Sequence, residues 1–262
     1  MTHVTKQHVS ILDRGLHYGD GLFETMLVCA GQIPLLAGHQ RRLAEGLRRL
    51  AIDADEPDIW KQVEQQALSV GEGSLKLMLT RGEGPRGYLP STQSIPGIYI
   101  LPYPSDSKSA SNLQQSWIVR FCTTPASLNP ALAGLKSLNR LDSVLARMEW
   151  QDARIHEGLL ADMHGNLIEG TRSNLFCVTN GRILTPLLDQ AGVAGVVRHW
   201  VMDHFKVEQV RLDRATLLAA DEIFMTNSLM GLAAVRQIES HSFPAPGPVT
   251  AEIRQKFMEV IA

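Results

Sequence analysis

An amine that could attack a carbonyl has few places to sit in this chain, which carries seven lysines against eighteen arginines. Most of those lysines lie among polar residues, and Lys136 does not. It follows Leu132-Ala133-Gly134-Leu135 and precedes Ser137-Leu138-Asn139-Arg140-Leu141. Apolar neighbours at the mouth of a strand-to-helix connection desolvate an ammonium and favour the neutral amine. That form makes a Schiff base with an aldehyde cofactor. The same neighbours also suit an ordinary surface lysine whose stem lies along apolar surface while its head reaches water.

Other residues offer complementary chemistry. Glu169 ends an apolar run and precedes Gly170, so it either points into a pocket or faces water at a strand end. In a pocket it could pair with a protonated pyridine nitrogen. Gly192-Val193-Ala194-Gly195-Val196-Val197-Arg198 enters a helix through glycines, and the free amides of a helix N-terminus suit a phosphate. Asn227-Ser228, just after a strand, offers a second donor set, and Arg42 offers a cation. Thr80-Arg81-Gly82-Glu83-Gly84-Pro85-Arg86-Gly87-Tyr88 is a Gly/Pro-rich turn whose two arginines could grip a carboxylate, or simply face solvent. Tyr18-Gly19-Asp20-Gly21-Leu22-Phe23-Glu24 is a glycine-punctuated turn into an apolar strand, with neither of the usual glycine-rich nucleotide-loop patterns.

Composition removes several classes. The net charge of -2 argues against a nucleic-acid binder, and Arg41, Arg42, Arg48 and Arg49 sit in one short helical segment where most read as a solvated face. Cys29, Cys122 and Cys177 are odd in number and far apart, which suggests neither a disulfide framework nor a metal site. A reducing cytoplasm fits. No apolar run approaches the roughly 20 residues that span a bilayer, and residues 1–20 lack the apolar stretch of a signal peptide.

The elements that must position these residues read as follows. Helices are expected at 39–52, 60–70, 138–156, 196–205 and 249–261. Strands are expected at 75–80, 98–101, 117–122 and 223–226. Four more, at 158–163, 167–169, 174–178 and 183–185, are set off by His164-Gly165-Asn166 and Asn180-Gly181 turns. The Pro/Ser-rich stretch 105–115 reads as a linker between a domain of residues 1–104 and one of 116–262. Strand meanders flanked by helices argue for an α+β fold rather than a doubly wound sheet.

Taken in order, these motifs resemble the fold-type IV pyridoxal 5′-phosphate (PLP) enzymes, a group that includes branched-chain and D-amino acid aminotransferases and aminodeoxychorismate lyases. The likeness runs from Asp13-Arg14-Gly15 to Asn227-Ser228. It rests on Arg14-Gly15…Tyr18-Gly19-Asp20-Gly21-Leu22-Phe23-Glu24, on His39-Gln40-Arg41-Arg42-Leu43 and on Lys136-Ser137-Leu138-Asn139-Arg140-Leu141. Gly165-Asn166-Leu167-Ile168-Glu169-Gly170…Ser173-Asn174-Leu175-Phe176 and Gly195-Val196-Val197-Arg198 complete it. The resemblance implies a two-domain D-amino acid aminotransferase-like α+β fold with the cofactor between the domains. It implies PLP carried by Lys136, with Glu169 on the pyridine nitrogen. Arg42, the amides of Val196 and Val197, and the Asn227-Ser228 turn would hold the phosphate.

Within the group the chain is most similar to the lyases, through Asn129-Pro130…Leu141, Arg81…Tyr88 and Thr185…Gly195, and through Phe23 where aminotransferase relatives often carry tyrosine. The implied reaction is elimination of pyruvate from 4-amino-4-deoxychorismate to give 4-aminobenzoate for folate synthesis, with Lys136 as anchor and general base. Arg86, Tyr88 and Phe23 would meet the substrate, the loop reaching in from the second subunit of a homodimer. An aminotransferase is the nearest alternative, and a non-catalytic PLP-binding protein a third.

Overall fold

The computed structural model describes residues 8–105 and 116–261, which divide into two compact units. The first takes in the described residues up to Ser105 and, from further along the chain, Lys136–Asn139; the second takes in the rest. Beyond Ser105, the linker expected at 105–115 lies outside the described residues. Among the described residues no helix is long and apolar enough to cross a membrane.

Alternation builds the first unit. Strands β1 (Gly21–Val28), β2 (Gly73–Thr80) and β3 (Gly97–Pro104) form an antiparallel sheet in that order. Leu22, Met26 and Val28 of β1 and Leu75, Leu77 and Leu79 of β2 are buried on one face. Helices α2 (Leu36–Leu50) and α3 (Glu56–Val70), which follow the short α1 (Arg14–Tyr18) in the chain, cover that face with Leu43, Leu47, Ile59, Val63 and Ala67. A strand period of two thus meets a helix period of 3.6 across one apolar layer. Both helices begin before their apolar stripes. α3 starts where Asp55 accepts the Asp58 amide and Pro57 occupies the first turn, a position whose amide has no helical partner anyway.

Arg81 corrects an expectation. It is buried, and its guanidinium donates to Asp20 and to the carbonyls of Leu50 and Ala51 at the end of α2, while Arg14 donates to the same Asp20 oxygen. Arg81 therefore ties a helix end to a strand end and does not join Arg86 in a carboxylate grip. Burial alone would raise the Asp20 carboxyl, but bonds and charge from Arg81 and Arg14 outweigh it and hold it below the usual range.

Residues 136–139 add a short rung to the free edge of β1. The Phe23 amide donates to the Lys136 carbonyl (2.9 Å) and the Leu138 amide to the Gly21 carbonyl (3.0 Å), with Leu22 and Ser137 bridged antiparallel. The long helix expected over 138–156 is thereby shortened to α4 (Leu141–Arg147). Its periodic apolar residues Leu141, Val144, Leu145 and Met148 are exposed, and Ala146 is the buried one. After α4 the buried Trp150 packs with Cys122 and Leu160 and donates its indole N–H to the Ile155 carbonyl, which turns the chain instead of continuing the helix.

The second unit is a mixed sheet. Its strands are β4 (Trp117–Phe121), β5 (Glu157–Ala161), β6 (Leu167–Gly170), β7 (Asn174–Thr179), β8 (Arg182–Pro186), β9 (Val207–Val210), β10 (Glu222–Asn227) and β11 (Gly231–Ile238). Their order is β6-β5-β4-β11-β10-β7-β8-β9, with the two-residue β12 (His241–Ser242) beside β11. The sheet curls until its ends meet: the Leu167 amide of β6 donates to the Leu212 carbonyl just past β9 (2.7 Å). The concave side holds Trp117, Val119, Leu159, Leu175, Cys177, Met225 and Val235, closed by Leu217 of α6 (Arg214–Leu218). On other faces Phe176 stacks on Phe224 at 4.8 Å, and α5 (Val196–His204) meets α7 (Pro248–Ile261) through Trp200 and Phe257. Glu222 at the start of β10 accepts the amides of Val249 and Thr250, capping α7. β11, at the centre of this sheet, has no sequence expectation, because its run Gly231-Leu232-Ala233-Ala234-Val235 is buried on both faces and does not alternate.

One buried carboxylate shapes the turn between β6 and β7. Glu157 accepts the amide and hydroxyl of Thr171, its own neighbour's amide at Gly158, and the Ser173 hydroxyl at 2.7 Å. Glu157→Ala strands these donors in a dry place, so the unfolding free energy should fall by about 3 kcal/mol. Glu157→Gln, which keeps one acceptor, should lose less. Denaturant titration of the two variants against the parent protein checks the order, and equal stability of all three would show that the turn holds without the carboxylate.

Candidate active site

In the first unit the strand edge sets Lys136. Its carbonyl is held by β1, so its side chain starts from a fixed backbone, and Nζ lies 4.2 Å from the centroid of the Phe23 ring. An ammonium over an aromatic face is held by the ring quadrupole while its N–H bonds stay directed elsewhere. Phe23, expected to meet substrate, is thus brought against the lysine it was expected to serve.

Below this, Glu24, His39 and Arg42 form a buried cluster. Glu24 and His39 are each 1% exposed. The His39 Nδ1 faces a Glu24 oxygen at 2.6 Å, and since a carboxylate only accepts, Nδ1 carries the proton. Arg42 donates Nε at 2.8 Å to the other oxygen and a second N–H to the one His39 uses. The arginine expected to hold a phosphate is therefore oriented by a carboxylate, as a paired guanidinium fork. Glu24 and His39 stand inside the recognised motifs but draw no role from sequence, because a strand-borne acid reads the same whether it is paired or solvated.

In the second unit Glu169 is the organising acid. One oxygen accepts the Val193 amide at 2.9 Å and the Asn174 side-chain amide at 3.3 Å. Asn174 also donates to the Val193 carbonyl and accepts the Gly195 amide, so a single side chain clamps Glu169 to the entry of α5. A Cβ at Gly195 would lie 2.1 Å from the Asn174 oxygen, which is why glycine stands there. No side chain caps α5, and its first amides belong to Val196 and Val197. Burial lowers the Arg198 pKa to about 10 and lowers that of Arg140 too, and the Glu169 charge opposes both shifts. Asn174 went unassigned in the sequence reading, though the Glu169-to-Phe176 spacing contained it.

The residues leading to Lys136 are anchored beside this acid. The Gly134 amide donates to the Gly192 carbonyl and the Ala194 amide to the Gly134 carbonyl, on either side of Val193. Gly134 takes φ +81°, which a side chain would resist. Lys136 lies two residues further along.

The remaining expected residues are more peripheral. Asn227 uses its side chain to accept the amides of Leu229 and Met230, shaping the turn in which Ser228 sits, and donates to the Arg172 carbonyl. Arg86 and Tyr88 are exposed at the tip of their loop. Arg14 fixes the loop backbone through the carbonyls of Gly87 and Tyr88, and Tyr18 lies against the Tyr88 ring at 5.5 Å.

The buried cluster carries a pH signature. Burial would raise Glu24, but the charge and bonds of Arg42 and the bond from His39 outweigh it and bring it from 4.5 to about 2. Its stabilising contribution is present above 4.5 and is lost as pH falls toward 2. For His39 burial is the largest effect and lowers the pKa from 6.5 despite Glu24. A histidine buried neutral stabilises above its ordinary pKa and is lost as pH falls below it. The thermal midpoint should therefore drop as pH goes from about 7 to about 5, before the carboxylate titrates. His39→Gln keeps the donor but cannot titrate and should flatten this drop; a parallel drop in both proteins would assign it elsewhere.

Three comparisons set this arrangement among known proteins. An aminodeoxychorismate lyase of Vibrio harveyi is 33% identical over 242 residues, covering 89% of this chain and 88% of that one. A putative branched-chain-amino-acid aminotransferase of Methanocaldococcus jannaschii is 31% identical over 264 residues, covering 96% and 91%. The crystal structure of 4-amino-4-deoxychorismate lyase from Pseudomonas aeruginosa superposes with a TM-score of 0.92 at 39% identity, over 97% of this chain and 95% of that one. The amino-transferase class IV family model matches residues 21–238, from the first residue of β1 to the last of β11, and the chain belongs to that family.

Proposed function

We propose that this chain is a PLP-dependent lyase that splits 4-amino-4-deoxychorismate into 4-aminobenzoate and pyruvate. The observation that carries the reading is Lys136, an amine held in place by backbone bonds to β1 and by the anchored residues before it. The names of the Vibrio and Pseudomonas relatives support the choice of reaction, as does Phe23 in the position where aminotransferases often have tyrosine.

The donor set fits PLP group by group. Lys136 matches an aldehyde, an oriented Glu169 matches a protonated ring nitrogen, and the uncapped entry of α5 matches a phosphate. In this reading Arg42, the amides of Val196 and Val197, and the Asn227-Ser228 turn hold the phosphate. When bound, PLP supplies a carbonyl for the substrate amine and an electron-accepting ring.

The chain's own residues do the rest. Lys136 Nζ takes the proton from the ring carbon that bears nitrogen. The C–H electron pair becomes ring π bonding, the C–O bond to the enolpyruvyl group breaks, and enolpyruvate is protonated to pyruvate. Glu169, fixed through Oε2 by Val193 and Asn174, would keep the ring nitrogen of the cofactor protonated. Aromatisation drives the step, so the protein mainly positions and polarises. Arg86 and Tyr88 hold a substrate carboxylate.

We further propose a cytoplasmic homodimer with a shared site. Tyr88, Leu89 and Ile95 are each more than 80% exposed on the loop that Arg14 pins, and α4 exposes Leu141, Val144, Leu145 and Met148. Clustered apolar exposure of this kind is what an interface covers.

Lys136→Ala should abolish the visible absorption band of lysine-bound PLP and the release of 4-aminobenzoate. An unchanged band in that variant would remove Lys136 from its role. Formation of pyridoxamine phosphate with D-alanine or a branched-chain donor, without 4-aminobenzoate from aminodeoxychorismate, would make the chain an aminotransferase. A yellow protein inert on both would make it a binding protein only.

A further inference from the structure

Lys76 stands on the same sheet face as Phe23, and among the described residues it has no ion-pair partner. It lies in the interior of β2, half-buried, directly opposite Thr25 of β1 and Leu101 of β3. Residues paired across strands share a face, so Lys76 stands with Phe23, Thr25, Met78, Tyr99 and Leu101 on the side of the sheet away from α2 and α3. None of these is acidic. Among the described residues no carboxylate forms an ion pair with Lys76, and its one ring contact is with Phe23, 5.2 Å from the centroid. Lys136 approaches the same ring at 4.2 Å.

Two lysine heads therefore meet one aromatic ring. A lysine in the middle of a sheet has better places to be: exposed edges suit it, and a half-buried interior position without a partner does not. A ligand carboxylate supplies that partner.

We propose that Lys76 is a specificity-determining residue that pairs with the substrate carboxylate lying across the six-membered ring from the amino group. The inference rests on the proposed function, with Lys136 as the base at the ring carbon that bears the substrate nitrogen. Both heads lie within 5.2 Å of one centroid, so they are separated by no more than two such radii, a span that suits a six-membered ring bearing a substituent at each end. The substrate has two carboxylates, one on the ring and one on the enolpyruvyl arm. The Arg86 loop offers a cation for one, and Lys76 offers the second.

The test uses the PLP-loaded enzyme and two stable probes that lack an amine. The first, 3-(1-carboxyvinyloxy)benzoate, has both carboxylates; 2-phenoxyacrylate lacks the one on the ring. Lys76→Met should weaken binding of the diacid by roughly tenfold or more, leave the monoacid within about twofold, and raise KM more than it lowers kcat. Lys76→Arg should restore most of the diacid affinity. The visible band and thermal midpoint of each variant report whether Lys136 and the fold are intact, and Lys76→Gln replaces Lys76→Met if the latter does not fold. Unchanged diacid binding, or equal weakening of both probes, overturns the proposal. If the parent protein makes no 4-aminobenzoate yet the diacid still distinguishes the variants, the lyase reading fails and the carboxylate subsite stands.

Discussion

The backbone of Lys136 is fixed by main-chain hydrogen bonds rather than by side-chain packing, and the proposed role as a covalent anchor depends on that constraint. Gly134 is bonded on both sides of Val193, and Lys136 and Leu138 are bonded to the edge of β1. The three residues between Gly134 and Leu138 have no freedom to form the first turn of a helix. The cost is visible directly afterwards: α4 is only seven residues long, and its apolar stripe has no core of its own to cover. The helix expected from residue 138 starts only at Leu141, a local preference overridden by tertiary hydrogen bonds.

The buried acids and the arginines bonded to them follow one rule. A buried charge must be paired and hydrogen-bonded, or it will not stay charged. Glu24 is paired with Arg42 and His39, Asp20 with Arg14 and Arg81, and Glu157 with Thr171, Arg172 and Ser173 of its turn. Each pairing also fixes a geometry. Glu24 orients Arg42, Asp20 and Arg81 join a strand end to a helix end, and Glu157 shapes the turn that carries Asn174 to Glu169. Among the described residues the half-buried Lys76 has no such partner, and that departure from the rule is what singles it out.

Much of the fold was legible in the pattern of residues. The β1–β2 alternation, the α2 stripe of Leu43 and Leu47, and the His164-Gly165-Asn166 and Asn180-Gly181 turns lead to the elements observed, because periodicity and turn chemistry are local properties. Three things were not legible. β11 lacks alternation because both its faces are buried. The 138–156 helix was overread because exposed and buried apolar residues look alike in sequence. Arg81 read either as part of a carboxylate grip or as a solvent-facing turn residue, because its partners, Asp20 and two carbonyls at the end of α2, lie 30 and more residues away.

For the site, the residue types and their order along the chain singled out Lys136, Glu169, Arg42 and the Gly195 helix entry as candidates through their resemblance to one family, while each taken alone also read as an ordinary surface or strand-end group. The tertiary structure alone decided how those residues are held. That Asn174 clamps Glu169 to Val193 and Gly195, that Glu24 aims Arg42, and that Phe23 lies under two lysine heads are facts of spacing between distant segments. Sequence carries the chemistry of each group; only folding brings the partners within the few ångströms at which hydrogen bonds and charges act.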